Sequence, residues 1–308
     1  MEVLLSIMAF VFGACMGSFL CCQARRLHLK ESPSKAPKPT KTIKATKTKS
    51  KSSLGPRSVC LSCKHQLKWY ENIPIVSWLA LKGKCKHCGS KIGLAEFLSE
   101  LGTGLAFLAV FTTFCYSACH PNNSTLFGAF QTQDLATGLS SIGVLNYAIL
   151  AIFALLILTF IFLAIYDGLY GELPSLCLTI SILFALAIAA LRIWSILQVA
   201  PFSANLIIDP LFSVLILGGL YLVLYLVSKG RWMGDGDWHL GLAIGLALAN
   251  PFLALIVLFL SNALACIVAY PSVKGNHQKK IYFGPFMVVA FVITVAIAAH
   301  LAEWGLSF

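Results

Sequence analysis

Eight apolar runs divide the chain, at residues 3–22, 94–116, 144–166, 173–199, 209–228, 239–250, 252–270 and 284–305. Most approach the roughly 20 residues that a helix needs to cross the hydrocarbon core of a bilayer. They predict an all-α polytopic membrane protein with about eight transmembrane helices. The stretch 239–270 is the least regular of these. Asn250-Pro251 interrupts it, and proline both lacks an amide hydrogen and clashes with the preceding turn. Two short helices joined by a tight outer turn are therefore expected there. The first run could serve as a signal peptide. However, Arg25 and Arg26 follow it rather than precede it, and no Ala-x-Ala cleavage site is visible. It reads as a retained helix whose N-terminus lies outside.

Composition strengthens the membrane reading. Of 308 residues, 58% are hydrophobic and 11% charged, against about 25% charged in a soluble domain. No water-soluble core hides that much apolar surface, so the surplus must face lipid. The net charge of +11 is concentrated: 17 of the 23 lysines and arginines lie between Arg25 and Lys91. Lys229, Arg231, Lys274, Lys279 and Lys280 occupy two further loops, and Arg192 alone sits inside an apolar run. Basic residues in short loops mark the cytoplasmic side. With the N-terminus outside, eight spans put the loops at 23–93, 167–172, 229–238 and 271–283 inside, and these hold 22 of the 23 basic residues. Orientation accounts for the charge better than a nucleic-acid partner, and none is expected. Arg192 falls near the outer end of its span, where it is expected to snorkel to the interface.

Residues 31–57 consist largely of Lys, Ser, Thr and Pro, the composition of a self-repelling disordered linker. The chain therefore divides into a first transmembrane helix (1–22), a cytoplasmic basic linker with a small module (23–93), and a seven-helix membrane core (94–308).

The module carries Cys60-x-x-Cys63 and Cys85-x-x-Cys88 with 21 residues between the pairs. Two such knuckles at this spacing signal tetrahedral zinc, and four sulfur ligands imply a closed structural site. A redox dithiol or a pair of disulfides is the alternative, and the cytoplasmic placement speaks against both. His65 and His87 stand beside the knuckles without being needed as ligands. A module this short buries too little to fold unaided, and zinc would supply the missing stability. The seven other cysteines lie in or beside apolar runs, as small hydrophobes.

Three of the twelve carboxylates attract notice. Asp167 ends one span, while Asp235 and Asp237 open another within Gly234-Asp235-Gly236-Asp237. The topology puts all three at the cytoplasmic face, and ionisable groups at membrane depth are costly and tend to be functional. Two carboxylates brought close cannot both ionise readily. One keeps a proton while the other activates water, as in aspartic proteases. Gly234 and Gly236 would let backbone and substrate approach closely. From spacing alone, an interfacial loop that merely ends a helix is equally compatible. A transporter using the acids as proton carriers, or a membrane-tethered zinc-ribbon binding module, also stays open.

Three stretches together resemble the type IV prepilin peptidases, the membrane aspartyl leader peptidases of type IV pili and type II secretion. The first runs from Pro56-Arg57-Ser58 through Cys88 and includes Glu71-Asn72-Ile73-Pro74-Ile75-Val76-Ser77-Trp78-Leu79. The second is Asp167 followed by Leu173-Pro174. The third is Met233-Gly234-Asp235-Gly236-Asp237, with Phe283-Gly284-Pro285-Phe286 downstream. Gly17-Ser18-Phe19-Leu20 also fits. The elements span nearly the whole chain in the family's order. The sequence departs from the family at Cys21-Cys22-Gln23-Ala24, at Ser175, at His239 and in the Lys/Thr-rich linker.

The resemblance implies an aspartic endopeptidase of the bacterial inner membrane. Its substrates would be prepilins and pseudopilins, cut after a Gly that ends a short basic leader. Asp167 and Asp237 would be the catalytic pair at the cytoplasmic face, and Asp235 a neighbour. It further implies N-methylation of the new N-terminus with S-adenosylmethionine as donor. Glu71 and Asn72 are the residues the resemblance points to for that step, and packing of the module onto the membrane core is their structural alternative.

Overall fold

The computed structural model describes residues 2–31, 59–60, 62–63, 65–119, 126–127, 144–198, 201–274 and 282–303. All but the first residue of the expected basic linker lies outside this set, as does most of the outer loop at 117–143.

Ten α-helices follow one another among the described residues. They are α1 (Glu2–Glu31), α2 (Val76–Ala80), α3 (Leu94–Cys119), α4 (Val144–Tyr170), α5 (Ser175–Leu197), α6 (Asn205–Val214), α7 (Leu220–Ser228), α8 (Asp235–Leu248), α9 (Pro251–Lys274) and α10 (Gly284–Glu303). A 3₁₀ turn, Trp69–Asn72, precedes α2, and a π-turn, Leu215–Gly219, joins α6 to α7 without a break. Among the described residues, extended pairing is confined to two isolated bridges. The expected all-helical architecture is therefore present.

Among the described residues, six helical stretches are long and apolar enough to cross a membrane: those of α1, α3, α4, α5 and α9, and the continuous Asn205–Ser228. This is two fewer than the sequence pattern suggests. At 14 residues, α8 is about 21 Å long, short of the roughly 30 Å hydrocarbon core. The described apolar part of α10, Gly284–Ala298, is likewise below spanning length. The first helix also runs on past residue 22. Its extra turns bring Arg25 into an ion pair with Glu96 of α3 and stack His28 on Tyr170 of α4, ring centres 3.7 Å apart.

The break expected near Asn250-Pro251 is real, and its chemistry is explicit. Ala249 adopts a left-handed conformation (φ 46°) and its amide donates to the Gly245 carbonyl at 2.9 Å, which closes α8. The Asn250 side chain then accepts from the amides of Phe252 and Leu253 at 2.9 and 3.1 Å. Asn250 thus caps α9, and Pro251 takes the first helical position, where its missing amide costs nothing. Arg192 is tied to the end of α8. Its guanidinium donates to the Ala247 and Leu248 carbonyls at 3.3 and 3.1 Å. It satisfies the end of α8, where backbone carbonyls lack partners and a cation is favoured.

Small residues let the helices close on one another, as lipid-embedded packing requires. On α1, a Cβ at Gly13 would stand 2.7 Å from the Thr103 carbonyl, and one at Gly17 would stand 2.9 Å from the Glu100 Cα. These contacts hold α1 flat against α3. Further in, Phe153, Phe160 and Phe291 are fully buried and interlock α4 with α10.

Candidate functional site

The four cysteines are brought together by two matching knuckles. Val59 pairs with Gln66 and Lys84 with Lys91, so each Cys-x-x-Cys lies in a tight turn. Amides of Cys60 and Cys85 close these turns on the His65 and Ser90 carbonyls at 2.9 and 2.8 Å. The Sγ atoms of Cys60, Cys63, Cys85 and Cys88 all lie within 4.8 Å of one another. The Cys60–Cys88 pair, at 3.8 Å, matches the roughly 3.8 Å between sulfurs of a tetrahedron with 2.3 Å metal–sulfur bonds. The donor set and spacing therefore fit a metal ion of zinc's size. His65 and His87 stack on each other at 3.6 Å beside the cluster and are not part of it.

The local field acts unequally on the sulfurs: the His65 amide favours the Cys63 thiolate, but slight burial and the neighbouring Cys60 and Cys88 push the thiol up to about 12. Partial burial opposes ionisation of Cys60. The amides of Cys63 and Ser62 and the Ser90 hydroxyl outweigh it and draw the thiol down to about 6. Bonds from the Ser90 hydroxyl and amide lower Cys88 as well. Ser90 is thus a supporting residue that the Cys-x-x-Cys pattern alone does not single out.

The module is fastened to the start of α3. The Ile75 amide donates to Glu100 at 2.7 Å, and Trp78 lies against Phe97 with ring centres 4.7 Å apart. Glu71 turns inward, with its side chain 2% exposed. It accepts from the Lys68 amide at 2.9 Å and stands 3.7 Å from His87. The Lys68 bond is the main reason its carboxyl sits below the ordinary carboxylate range. Asn72 is exposed on the 3₁₀ turn. Glu71 and Asn72 thus have different settings.

A second cluster forms where α4 ends and α8 begins. Both helix ends lie on the same side of the bundle. Asp167 and Asp237 are both buried, at 6% and 8% exposure, whereas Asp235 is exposed. Asp167 accepts a 3.1 Å bond from the Gly284 amide at the start of α10. Asp237 accepts a 3.0 Å bond from the Gly234 amide, in its own first turn. Leu173, six residues after Asp167, packs against Gly236 beside Asp237, so the two carboxylates lie at the same end of the bundle. Asp235 instead receives the Trp238 indole at 3.1 Å, and its carbonyl meets His239 Nδ1 at 2.9 Å.

Glycine is required at two places around this pair. A Cβ on Gly236 would lie 2.7 Å from Leu173 Cβ, and one on Gly284 would lie 2.7 Å from Asp167 Oδ2. The first contact closes the Leu173-Pro174 segment over α8. The second lets a backbone amide reach the carboxylate. Gly284 is the site residue whose role the sequence left unassigned, although its Phe-Gly-Pro-Phe setting marked it. Beneath Asp237, the buried Tyr221 hydroxyl meets Ser261 Oγ at 3.3 Å.

Comparison with known proteins places this arrangement. Residues 11–114 match the model of the bacterial peptidase A24 N-terminal domain. A prepilin leader peptidase/N-methyltransferase of Dichelobacter nodosus is 30% identical over 251 residues, which is 81% of this chain and 74% of the relative. The chain belongs to the prepilin leader peptidase/N-methyltransferase family. Another member of that family, from Aeromonas hydrophila, is 28% identical over 82% of this chain and 75% of its own length. A third, from Myxococcus xanthus, reaches 39% identity over 111 residues, 36% of this chain and 27% of its own. No solved structure matches. The A24 match ends at residue 114, before both aspartates, whereas the Dichelobacter and Aeromonas relatives align across most of the chain.

Proposed function

We propose that this prepilin peptidase family enzyme cleaves prepilins and pseudopilins with Asp167 and Asp237, at the cytoplasmic face of a bacterial inner membrane. The observation that carries the reading is the pairing itself. Two buried carboxylates from helices 70 residues apart in sequence share one end of the bundle, each tied to a glycine amide. Two like charges in a buried site hold one proton between them, so one group can protonate the leaving amine while the other activates water. No covalent intermediate is needed.

The face follows from charge. With eight membrane passages, counting α8 and α10, the basic loops all fall on the side of the two aspartates. A substrate whose hydrophobic helix lies in the bilayer and whose basic leader stays in the cytoplasm then presents its scissile bond at that depth. Cleavage follows the Gly that ends the leader. Gly236 and Gly284 let Leu173 and a backbone amide close on the carboxylates.

Zinc on Cys60, Cys63, Cys85 and Cys88 would hold the module in shape, and those residues supply the ligands. N-methylation from S-adenosylmethionine is the second activity, with Asn72 on the exposed turn and Glu71 holding that turn to the knuckles.

The test is incubation with a synthetic prepilin spanning leader and helix, followed by mass spectrometry with and without S-adenosylmethionine. Cleavage after the leader Gly, lost in Asp167→Ala and in Asp237→Ala, is expected. Normal cleavage by either variant overturns the assignment. A gain of one methyl that Asn72→Ala abolishes, with cleavage intact, supports the second activity. Cleavage without any methyl gain limits the enzyme to peptide hydrolysis.

A further inference from the structure

The module between α1 and α3 turns an apolar face outward. Trp69 is 79% exposed, Val76 59% and Leu79 57%, with Tyr70 and Ile73 at 39% and 37%. Val76 and Leu79 stand three apart on α2 and share one side of it. Trp78 points the other way, against Phe97 and over Gly83. The inward side of the module is thus already occupied, and among the described residues nothing covers the outward side. A cluster of exposed apolar side chains on so small a unit marks a surface meant to be covered.

Its charge identifies the cover. Between residues 59 and 93 the sole carboxylate is Glu71, and it is buried. Lys68, Lys82, Lys84, Lys86 and Lys91 are all exposed. Lys68 and Lys86 hold their ammonium groups 5.9 and 5.5 Å from the centre of the Tyr70 ring, so cation and aromatic surface are interleaved. Trp and Tyr beside lysine is the composition of a bilayer–water interface. The rings suit the headgroup level and the cations suit anionic lipid. The exposed Ile73, Val76 and Leu79 offer no stacking face to a nucleobase and suit acyl chains instead.

Position makes the contact reachable. The module is fed by α1 and drains into α3, both long and apolar enough to span. The Ile75–Glu100 bond and the Trp78–Phe97 contact hold it at the first turns of α3. Its outward face therefore lies within a few residues of the membrane plane.

We propose that the face formed by Trp69, Tyr70, Ile73, Val76 and Leu79 seats on the anionic lipid surface of the membrane that the chain itself spans. Trp69 enters the headgroup layer, and the surrounding lysines bind lipid phosphates. This docking adds a third attachment to the two helical ones and fixes the module's tilt. It does not depend on which face of the membrane bears the aspartates, nor on the identity of the substrate.

The experiment uses the full chain in nanodiscs of phosphatidylethanolamine and phosphatidylglycerol, compared with phosphatidylcholine alone. Amide exchange is followed in the peptide covering residues 68–82. Quenching by brominated lipid is read as the difference between the wild type and Trp69→Phe. Protection and Trp69 quenching are expected in the anionic discs, both falling as salt is raised. Replacing Lys82, Lys84 and Lys86 by Gln should cut the docked population roughly fivefold per lysine, with exchange in α3 unchanged. Equal exchange and equal quenching in the two lipids overturn the proposal. Protection that grows with protein concentration in lipid-free detergent would assign the face to a second copy and also overturn it. So would protection that appears only when a prepilin peptide is added.

Discussion

The cysteine cluster and the aspartate pair are built in opposite ways. Each half of the cysteine cluster is local. Two residues separate the sulfurs of a knuckle, and a six- or eight-residue turn closed by its own amides presents them. The aspartate pair has no local half. Asp167 comes from the end of α4, Asp237 from the start of α8, and the amide on Asp167 from α10, 117 positions away. The cluster depends on a short segment keeping its turn chemistry and, in the proposed reading, on a metal. The pair depends on whole helices keeping their relative heights. Damage to one should leave the other largely standing.

The largest effect should come from the pair. Asp167→Ala or Asp237→Ala should lower prepilin cleavage by a factor of about 1,000 or more, since general acid–base catalysis and its water are lost together. Metal content and membrane insertion should stay unchanged. Asp235→Asn should keep most activity, because that group is exposed and bonded to Trp238. An Asp235→Asn enzyme as dead as Asp167→Ala would break the distinction drawn from burial.

Next is the metal. Cys60→Ser with Cys63→Ser should abolish zinc retention in the purified chain, measured by elemental analysis, and open residues 59–93 to protease. Structural zinc contributes roughly 10 kcal/mol or more to such modules. Acid should do the same reversibly. Protons compete with the metal for the four thiolates, so zinc affinity falls as pH is lowered. Zinc release monitored by a chromogenic chelator should therefore rise with acidification. Release that is flat down to pH 4 would count against thiolate ligation.

A smaller effect tests the helix heights directly. Gly284→Val should push Asp167 away from its amide and reduce cleavage roughly 10- to 100-fold, since misplacement near 1 Å costs about that much. Zinc should stay bound. Gly236→Ala should act similarly, through Leu173. Smallest of all, Arg192→Met removes the cation from the end of α8 and should cost about 1 kcal/mol, read as a few degrees in thermal unfolding in detergent. Its cleavage rate should change less than that of the glycine variants.

Much of this molecule could be read without coordinates, and the limits of that reading have physical causes. Apolar runs and lysine placement depend only on transfer free energy, which is a property of each segment alone. They located every long helix and the break at Asn250-Pro251. The extent of α1 past residue 22 was missed because its last turns are polar. They are kept helical by Glu96 and Tyr170, which belong to other helices. The partners of Arg192 were hidden for the same reason. Its partners are carbonyls of α8, and no feature of its own neighbourhood announces them.

By itself, then, the sequence determined an all-helical membrane chain, the four metal-binding sulfurs and the three candidate acids, because each follows from residue type and short spacing. Only the tertiary structure decided which two acids are buried together, that Gly284 serves Asp167, and that Glu71 faces inward while Trp69 faces out. Those facts depend on distances between segments far apart in the chain, and such distances are fixed by packing rather than by any local pattern.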